Sequence, residues 1–165
     1  MNARKALSDQ KRVEVRIEHR RAIKILMRHW FDVIRSALIG MFTGTLPGAG
    51  GSIANILSYD QAKKAAKDDS QFGKGDPRGI IAPEASNNAV EGGALTPLMA
   101  LGIPGDITAA IMLGALLMHD IVPGPTFISD EPVLAYSIYI AFFLASFIML
   151  GLSLIHISEP TRHRL

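Results

Sequence analysis

Residues 133–157, VLAYSIYIAFFLASFIMLGLSLIHI, decide the class of this protein. The stretch contains no Lys, Arg, Asp or Glu. A helix of these 25 residues, rising about 1.5 Å per residue, is long enough to cross the roughly 30 Å of hydrocarbon in a bilayer. Buried helices of large soluble proteins rarely stay uncharged over such a length. The stretch therefore predicts a transmembrane helix.

The composition of the whole chain also favours a membrane protein. Hydrophobic residues make up 48% of it, the mean hydropathy is +0.25, and the apolar residues are gathered into blocks. There is no cysteine, which excludes disulfide frameworks and thiol catalysis. The five histidines have no compact ligand spacing. We therefore predict no cofactor and no bound metal, and we find no convincing nucleophile–base pair that would indicate an enzyme.

The first 30 residues are predicted to form a basic amphipathic flank. Nine Lys or Arg stand against three Asp or Glu in residues 1–28. Residues 13–27 place apolar side chains among these charges, which is typical of an imperfect amphipathic helix at a membrane surface. A nucleic-acid-binding arm has a similar charge. Because an apolar segment follows directly, a flank on the cytoplasmic side, with no nucleic-acid partner, is the better interpretation.

Residues 31–59 are predicted to form a broken or re-entrant membrane segment. An apolar stretch runs into GTLPGAGGS at 44–52, and a second helical stretch follows at 53–66. The loop at 60–79 is rich in Lys and Arg, whereas the loop at 120–132 has acidic residues only. The positive-inside rule makes the first loop cytoplasmic and the second external. Since the basic flank is also predicted to be cytoplasmic, the segment between them is expected to enter and leave the membrane on one side.

A second broken segment is predicted at 80–119. Its two helical halves, 83–101 and 107–118, flank GIPG at 102–105. Unpaired backbone at membrane depth costs several kcal/mol per peptide group unless protein or a water-filled cavity surrounds it. Two such breaks indicate a substrate or ion site. The candidates at the breaks are Pro47, Gly48, Gly50, Ser52, Asn55, Thr96, Gly102, Pro104, Gly105 and Thr108.

A polar stripe follows the start of the second broken segment. Glu84, Asn87, Asn88 and Glu91 stand at i, i+3, i+4 and i+7, so that a helix places them on one face. Such a stripe in a membrane helix normally faces the bundle interior and binds ligands, ions or partner helices. These four residues are therefore further candidates. An interfacial helix that exposes the stripe to water is the alternative.

Basic side chains are absent from the chain around both breaks. No Lys or Arg occurs between Arg35 and Lys63, or between Arg78 and Arg162. A carboxylate bound there would have to be held by helix N-termini and by Ser, Thr or Asn side chains. The glycine-rich stretch does not end in Gly-Lys-Ser/Thr, so it is not a nucleotide-binding loop. Its alternative role is close helix packing through small residues.

Two stretches resemble the second half of the large permease subunit of tripartite tricarboxylate transporters, the TctA family. They are GTLPGAGGSIANILSYDQAKK at 44–64 and FGKGDPRGIIAPEASNNAVEGGALTPLMALGIPGDITAAIMLGALLMHDIVPGPTF at 72–127. The likeness covers about residues 28–150, and its motifs LPG-x-G, PE-x-x-NNA, LGIPG and PGP occur in order. One departure is Asp106, where the family more often has a small residue such as Ser.

The resemblance implies an all-α polytopic membrane protein with broken or re-entrant helices, forming half of an inverted-repeat secondary transporter. It implies import of tricarboxylates or related organic anions across a bacterial inner membrane, coupled to a Na⁺ or H⁺ gradient. A periplasmic solute-binding protein and a small membrane subunit are the implied partners. The competing interpretation is a structural membrane subunit whose glycines only pack helices. The stretch SLIHISEPTRHRL at 153–165 resembles translated adapter sequence. We therefore predict a non-native tail at 158–165.

Overall fold

The structure, a computed structural model, describes residues 19–48 and 50–158, with side chains through residue 153. This part of the chain contains seven α-helices and no strand, so the all-helical prediction is confirmed. The helices are α1 (His19–Arg28), α2 (Trp30–Gly44), α3 (Gly50–Lys64), α4 (Arg78–Leu101), α5 (Ile107–Met118), α6 (Phe127–Asp130) and α7 (Pro132–Ser158). Most of the predicted basic flank, residues 1–18, and most of the predicted tail, residues 159–165, lie outside the described residues.

Helices α2 and α4 run in the same direction. Gly40 lies against the main chain of Ser86, and one turn later Gly44 lies against Val90. A Cβ atom at either glycine would overlap the opposing carbonyl oxygen. Small residues allow two helix backbones to approach this closely. The glycine packing that the sequence left open as an alternative role is therefore present between these two helices.

Helix α3 runs antiparallel to both. Gly51, at its start, lies beside Asn87, whereas Tyr59, near its end, lies beside Gly79 at the start of α4. The buried residues of α3 are all small, Ala54, Ser58 and Ala62, and Ser86 Oγ donates a hydrogen bond of 3.2 Å to the Ala54 carbonyl oxygen. The chain therefore reverses direction between α2 and α3. The end of α3 lies at the same end of the three-helix unit as the start of α2.

Charged residues gather at that end. Arg35 Nη2 contacts Asp32 Oδ1 at 2.7 Å within α2, and Arg78 Nη2 contacts Asp76 Oδ2 at 2.6 Å at the start of α4. The hydrogen bonds from Arg78 hold the pKa of Asp76 below its ordinary value, and the same carboxylate raises the pKa of Arg78. Arg78 also stacks over Phe72, with its guanidinium carbon 5.2 Å from the ring centroid.

Helix α4 begins at Arg78, several residues earlier than the 83–101 predicted from the sequence. Asp76 Oδ1 accepts from the Arg78 N–H at 2.9 Å, and the Pro77 carbonyl oxygen accepts from Ile81 N at 2.9 Å. These contacts complete a first turn upstream of Pro83. The proline then removes one hydrogen bond from the interior of the helix and does not prevent its start.

The second part of the chain packs around the end of α4. Leu98 and Met99 of α4 are fully buried in a cluster with Ala109 of α5, Phe127 of α6 and Ala135 of α7. Gly102 ends α4 in the left-handed region at φ 70°, and its N–H bonds the Leu98 carbonyl oxygen. This cluster holds α5, α6 and the first turns of α7 against α4.

Within the described residues, one helix is long and apolar enough to cross a membrane, at Pro132–Ser153 of α7. Only 6% of its apolar window is buried inside the molecule. Helix α5 is apolar but has only 12 residues, about 18 Å, which is shorter than the hydrocarbon layer. Helix α4 is long enough, but it carries the polar stripe.

Candidate functional site

The two helix breaks predicted from the sequence meet in space. Gly48 N, in the turn between α2 and α3, donates a hydrogen bond of 3.0 Å to the carbonyl oxygen of Gly105, in the turn between α4 and α5. Gly105 is buried against the Gly44 carbonyl oxygen and Ala94, where a Cβ atom would overlap both. A residue other than glycine at this position would push the two breaks apart.

An open cleft of about 660 Å³ lies where the breaks meet. Residues 48 and 50–53 line it from the first break, and residues 104–108 and 110 line it from the second. Its volume falls in the range of small-molecule sites in proteins. Both breaks thus contribute to one concave surface.

Two helix N-termini open onto this cleft, because α3 begins at Gly50 and α5 begins at Ile107. The first four N–H groups of a helix have no partner inside that helix, and the helix dipole adds a partial positive charge there. Gly48 and Gly50 adopt positive φ angles of 78° and 55°, which glycine reaches without steric cost. The turn thereby aims the start of α3 into the cleft.

Asp106 is the one charged side chain in the described lining of the cleft. Its Oδ1 accepts a hydrogen bond of 2.7 Å from the backbone N–H of Ala109, so it caps α5. In the sequence, Asp106 stands out only as a departure from the family pattern. The signal that identifies its position was present, since an aspartate directly before an apolar helix is a common N-cap.

Six of the residues predicted from the sequence line the cleft: Gly48, Gly50, Ser52, Pro104, Gly105 and Thr108. Other candidates lie elsewhere. Pro47 is exposed in the first turn, Gly102 ends α4, and Thr96 is exposed on α4, where it donates to the Gly92 carbonyl oxygen. Besides Asp106, four further lining residues were not predicted from the sequence, Gly51, Ile53, Ile107 and Ala110. None of these four carries a polar side chain that would have identified it.

Asn55 lies between α3 and α4. With its amide nitrogen turned toward the main chain, it donates to the Gly51 carbonyl oxygen at 3.1 Å and to the Pro83 carbonyl oxygen at 3.0 Å. Its side chain therefore joins two helices behind the cleft.

The polar stripe of α4 does not line the cleft. Glu84, Asn87 and Asn88 are exposed. Glu91 is half-buried and shares a small neighbouring cavity with Thr108. Because Thr108 lines both spaces, Glu91 stands directly behind one wall of the cleft.

Comparison with known proteins gives evidence about the family of this chain that the geometry alone does not provide. The family model described as the tripartite tricarboxylate transporter TctA family matches residues 1–161. The chain is 34% identical over 122 residues to an uncharacterised 52.8 kDa protein in the TAR-I ttuC′ 3′ region of Agrobacterium vitis, covering 74% of the chain and 24% of that protein. It is also 34% identical over 115 residues to an uncharacterised protein in the TAR-II ttuC′ 3′ region of the same organism, covering 70% of the chain and 48% of that protein.

The chain thus spans about a quarter and about half of the lengths of these curated relatives. No solved structure matches it. The family match covers nearly all of the sequence, including both helix breaks, the cleft and the long apolar helix. On this evidence the chain belongs to the tripartite tricarboxylate transporter TctA family.

Proposed function

We propose that this chain forms part of the permease subunit of a secondary transporter that imports tricarboxylates or related organic anions. The observation that carries the proposal is the cleft, in which two broken segments of a transporter-family chain bring two helix N-termini together. In secondary transporters, broken helices place their N-termini at the carboxyl groups of substrates.

The chemistry of the cleft suits a carboxylate. The unpaired N–H groups at the start of α3 and the hydroxyl groups of Ser52 and Thr108 are donors to an anion. No Lys or Arg lines the described part of the cleft, so these neutral donors and the helix dipole supply the attraction. The proposed site residues are those of the cleft, with Asn55 and Glu91 supporting it from behind.

The wider setting is proposed from the family. The permease is a multi-pass protein of a bacterial inner membrane, in which α7 crosses the bilayer and the hairpin of α2 and α3 is re-entrant. A periplasmic solute-binding protein delivers the substrate, a small membrane subunit completes the transporter, and a Na⁺ or H⁺ gradient drives uptake. The polar stripe of α4, exposed in this chain, then faces the rest of the permease.

Uptake into proteoliposomes tests the proposal. The full-length permease and its small subunit are reconstituted with an imposed Na⁺ or H⁺ gradient, and uptake of labelled carboxylates is measured with and without the binding protein. We expect uptake only when the gradient and the binding protein are both present. Equal uptake without the binding protein would refute its delivery role, and no uptake of any organic anion would refute the transport function.

A non-transporting structural subunit is the second candidate, and the glycine contacts favour it. Gly40, Gly44 and Gly93 each pack directly on the backbone of a neighbouring helix, which explains these glycines without any substrate. Packing does not explain the open cleft or the N-termini that face it. The same uptake experiment separates the two candidates.

A further inference from the structure

We propose that helix α1 binds the anionic headgroups of phospholipids at the cytoplasmic surface of the membrane, in preference to zwitterionic headgroups. The inference concerns the lipid surface and not the cleft, so it does not depend on which organic anion is transported. It gives a partner of defined charge to a helix that has no part in the proposed substrate site.

One stripe of α1 is basic. The helix, HRRAIKILMR at residues 19–28, contains four Arg or Lys and no Asp or Glu. Arg20, Lys24 and Arg28 stand at i, i+4 and i+8, which places them along one side of the helix. All three are exposed, and none forms an ion pair with another described residue. Their charges are therefore available to an external anionic surface.

A second stripe of α1 is apolar. Ile23, Leu26 and Met27 stand at i, i+3 and i+4, and all three are exposed, Met27 by 72%. An apolar stripe beside a basic one is typical of a helix that lies in the membrane interface. Its apolar side chains then reach the acyl chains while its basic side chains stay among the headgroups. A nucleic acid or an acidic protein surface would match the basic stripe but would leave the apolar stripe in water.

The start of α2 indicates where the membrane surface lies. His29 alone separates α1 from Trp30, and both Trp30 and Phe31 are exposed. Tryptophan is enriched at membrane–water interfaces, where its ring sits at the level of the headgroups. Ile34 and Leu38, further along α2, are also exposed, as expected of a side that faces lipid. Helix α1 therefore adjoins the headgroup region and not the bulk solvent.

The basic stripe selects the charge of the lipid. Each Lys or Arg close to an anionic bilayer is attracted to it by about 1 kcal/mol, which corresponds to about fivefold in affinity. A zwitterionic bilayer has no net charge and lacks this attraction. Because the attraction is electrostatic, it is expected to weaken as the salt concentration rises.

Trp30 can report on the lipids beside α1, because it is the only tryptophan in this chain. In the full-length permease, any tryptophan outside this chain is replaced with Phe. The protein is reconstituted into vesicles of equal parts phosphatidylglycerol and phosphatidylcholine, with bromine on the acyl chains of one lipid or the other. Quenching of Trp30 then compares the two association constants. We expect phosphatidylglycerol to associate about fivefold more strongly, and high salt to reduce this ratio.

Removal of the basic stripe is the first variant. Arg20→Gln, Lys24→Gln and Arg28→Gln are combined, and they are expected to abolish the preference for phosphatidylglycerol. The double variant Arg20→Lys, Arg28→Lys keeps the charges and is expected to keep the preference. Both variants change exposed side chains only, so the fold is expected to remain intact.

The matched control removes three exposed basic residues outside α1, through Lys63→Gln, Lys67→Gln and Lys74→Gln. It is expected to leave the ratio at Trp30 unchanged. Equal quenching by the two lipids in the wild-type protein, or a preference that survives the loss of the stripe, would overturn the inference. An equal loss in the control would also overturn it, because net charge alone would then explain the effect. None of these outcomes bears on anion uptake, so the proposed function would stand.

Discussion

At the scale of single residues, glycine decides how closely the helices approach. Gly93 of α4 faces the main chain of Met41 in α2, and a Cβ atom there would overlap the Met41 carbonyl oxygen. Its neighbour Gly92 has nothing within 4 Å of the position that a Cβ atom would take. Two adjacent glycines on one helix thus have opposite environments.

Gly93→Ala is expected to destabilise the protein by about 1–3 kcal/mol, because the new methyl group forces α2 and α4 apart. Gly92→Ala, the matched control, is expected to be neutral or to stabilise α4 by up to about 1 kcal/mol through its higher helix propensity. Thermal unfolding of the purified protein in detergent measures both. Equal stability of the two variants would contradict the packing described for α2 and α4.

The ion pair of Asp76 with Arg78 predicts how stability changes at acid pH. Its pKa is lowered by its hydrogen bonds to Arg78, so its contribution to stability is fully present above the ordinary carboxyl value of 3.8. That contribution is lost as the pH falls below 3.8 and through the lower pKa of the folded state. Asp76→Asn is expected to weaken the loop at neutral pH and to remove this part of the acid dependence.

Limited proteolysis of the loop at residues 65–77 measures the effect at pH 7 and at pH 3 with an acid-stable protease. In the wild-type protein, cleavage is expected to increase on acidification. The same increase in Asp76→Asn would show that another group controls the loop.

At the scale of the helical elements, the hairpin of α2 and α3 gives the most specific prediction, which concerns membrane topology. Its two outer ends lie together beside the start of α4, and its turn lies beside the second break. A re-entrant hairpin in the membrane therefore predicts that both outer ends are reached from the cytoplasm. Ser36 is unsuitable for a labelling test because it is fully buried, whereas Ala22 and Gln61 are exposed.

Ala22→Cys and Gln61→Cys test the topology in a full-length protein without other cysteines. Both are expected to react with an impermeant maleimide in inside-out vesicles and not in right-side-out vesicles. The Lys63 and Lys64 cluster stays cytoplasmic in this arrangement, as the positive-inside rule requires. Reaction of Gln61→Cys from the outside alone would show that the segment crosses the membrane once.

Much of the helical order is readable from the sequence, because Pro-Gly breaks and an uncharged apolar run are local signals. Helix α5 has the bounds expected from its apolar run, 107–118. The starts of α3 and α4 were predicted several residues late. Glycines in the first turn of α3 and a proline inside α4 resemble helix breakers in a sequence. Tertiary packing nevertheless sustains α3 there, and the hydrogen bond from Arg78 N to Asp76 Oδ1 supports the first turn of α4.

At the scale of the whole molecule, the arrangement that sequence patterns could not predict is the meeting of the two breaks. Gly48 and Gly105 are far apart in the chain, and their hydrogen bond depends on how α2 and α3 pack on α4. That packing comes from the positions of small residues, which carry no signal about their partners. For the same reason, the sequence indicated polar candidates at both breaks but could not separate those in the cleft from the exposed stripe on α4.

The central claim is that organic anions bind in the cleft between the two breaks, and protection of a cysteine at Ser52 tests it most directly. Ser52 is exposed and lines the cleft, whereas Thr126 is exposed outside it. In the full-length protein, a tricarboxylate such as tricarballylate, at ten times its dissociation constant, is expected to slow the reaction of Ser52→Cys with a methanethiosulfonate reagent about tenfold. The matched variant Thr126→Cys is expected to react at an unchanged rate. The control replaces the tricarboxylate with chloride at the same ionic strength. If Ser52→Cys reacts at the same rate in both, although binding of the tricarboxylate is independently shown to be saturated, the anion binds elsewhere and the account is contradicted.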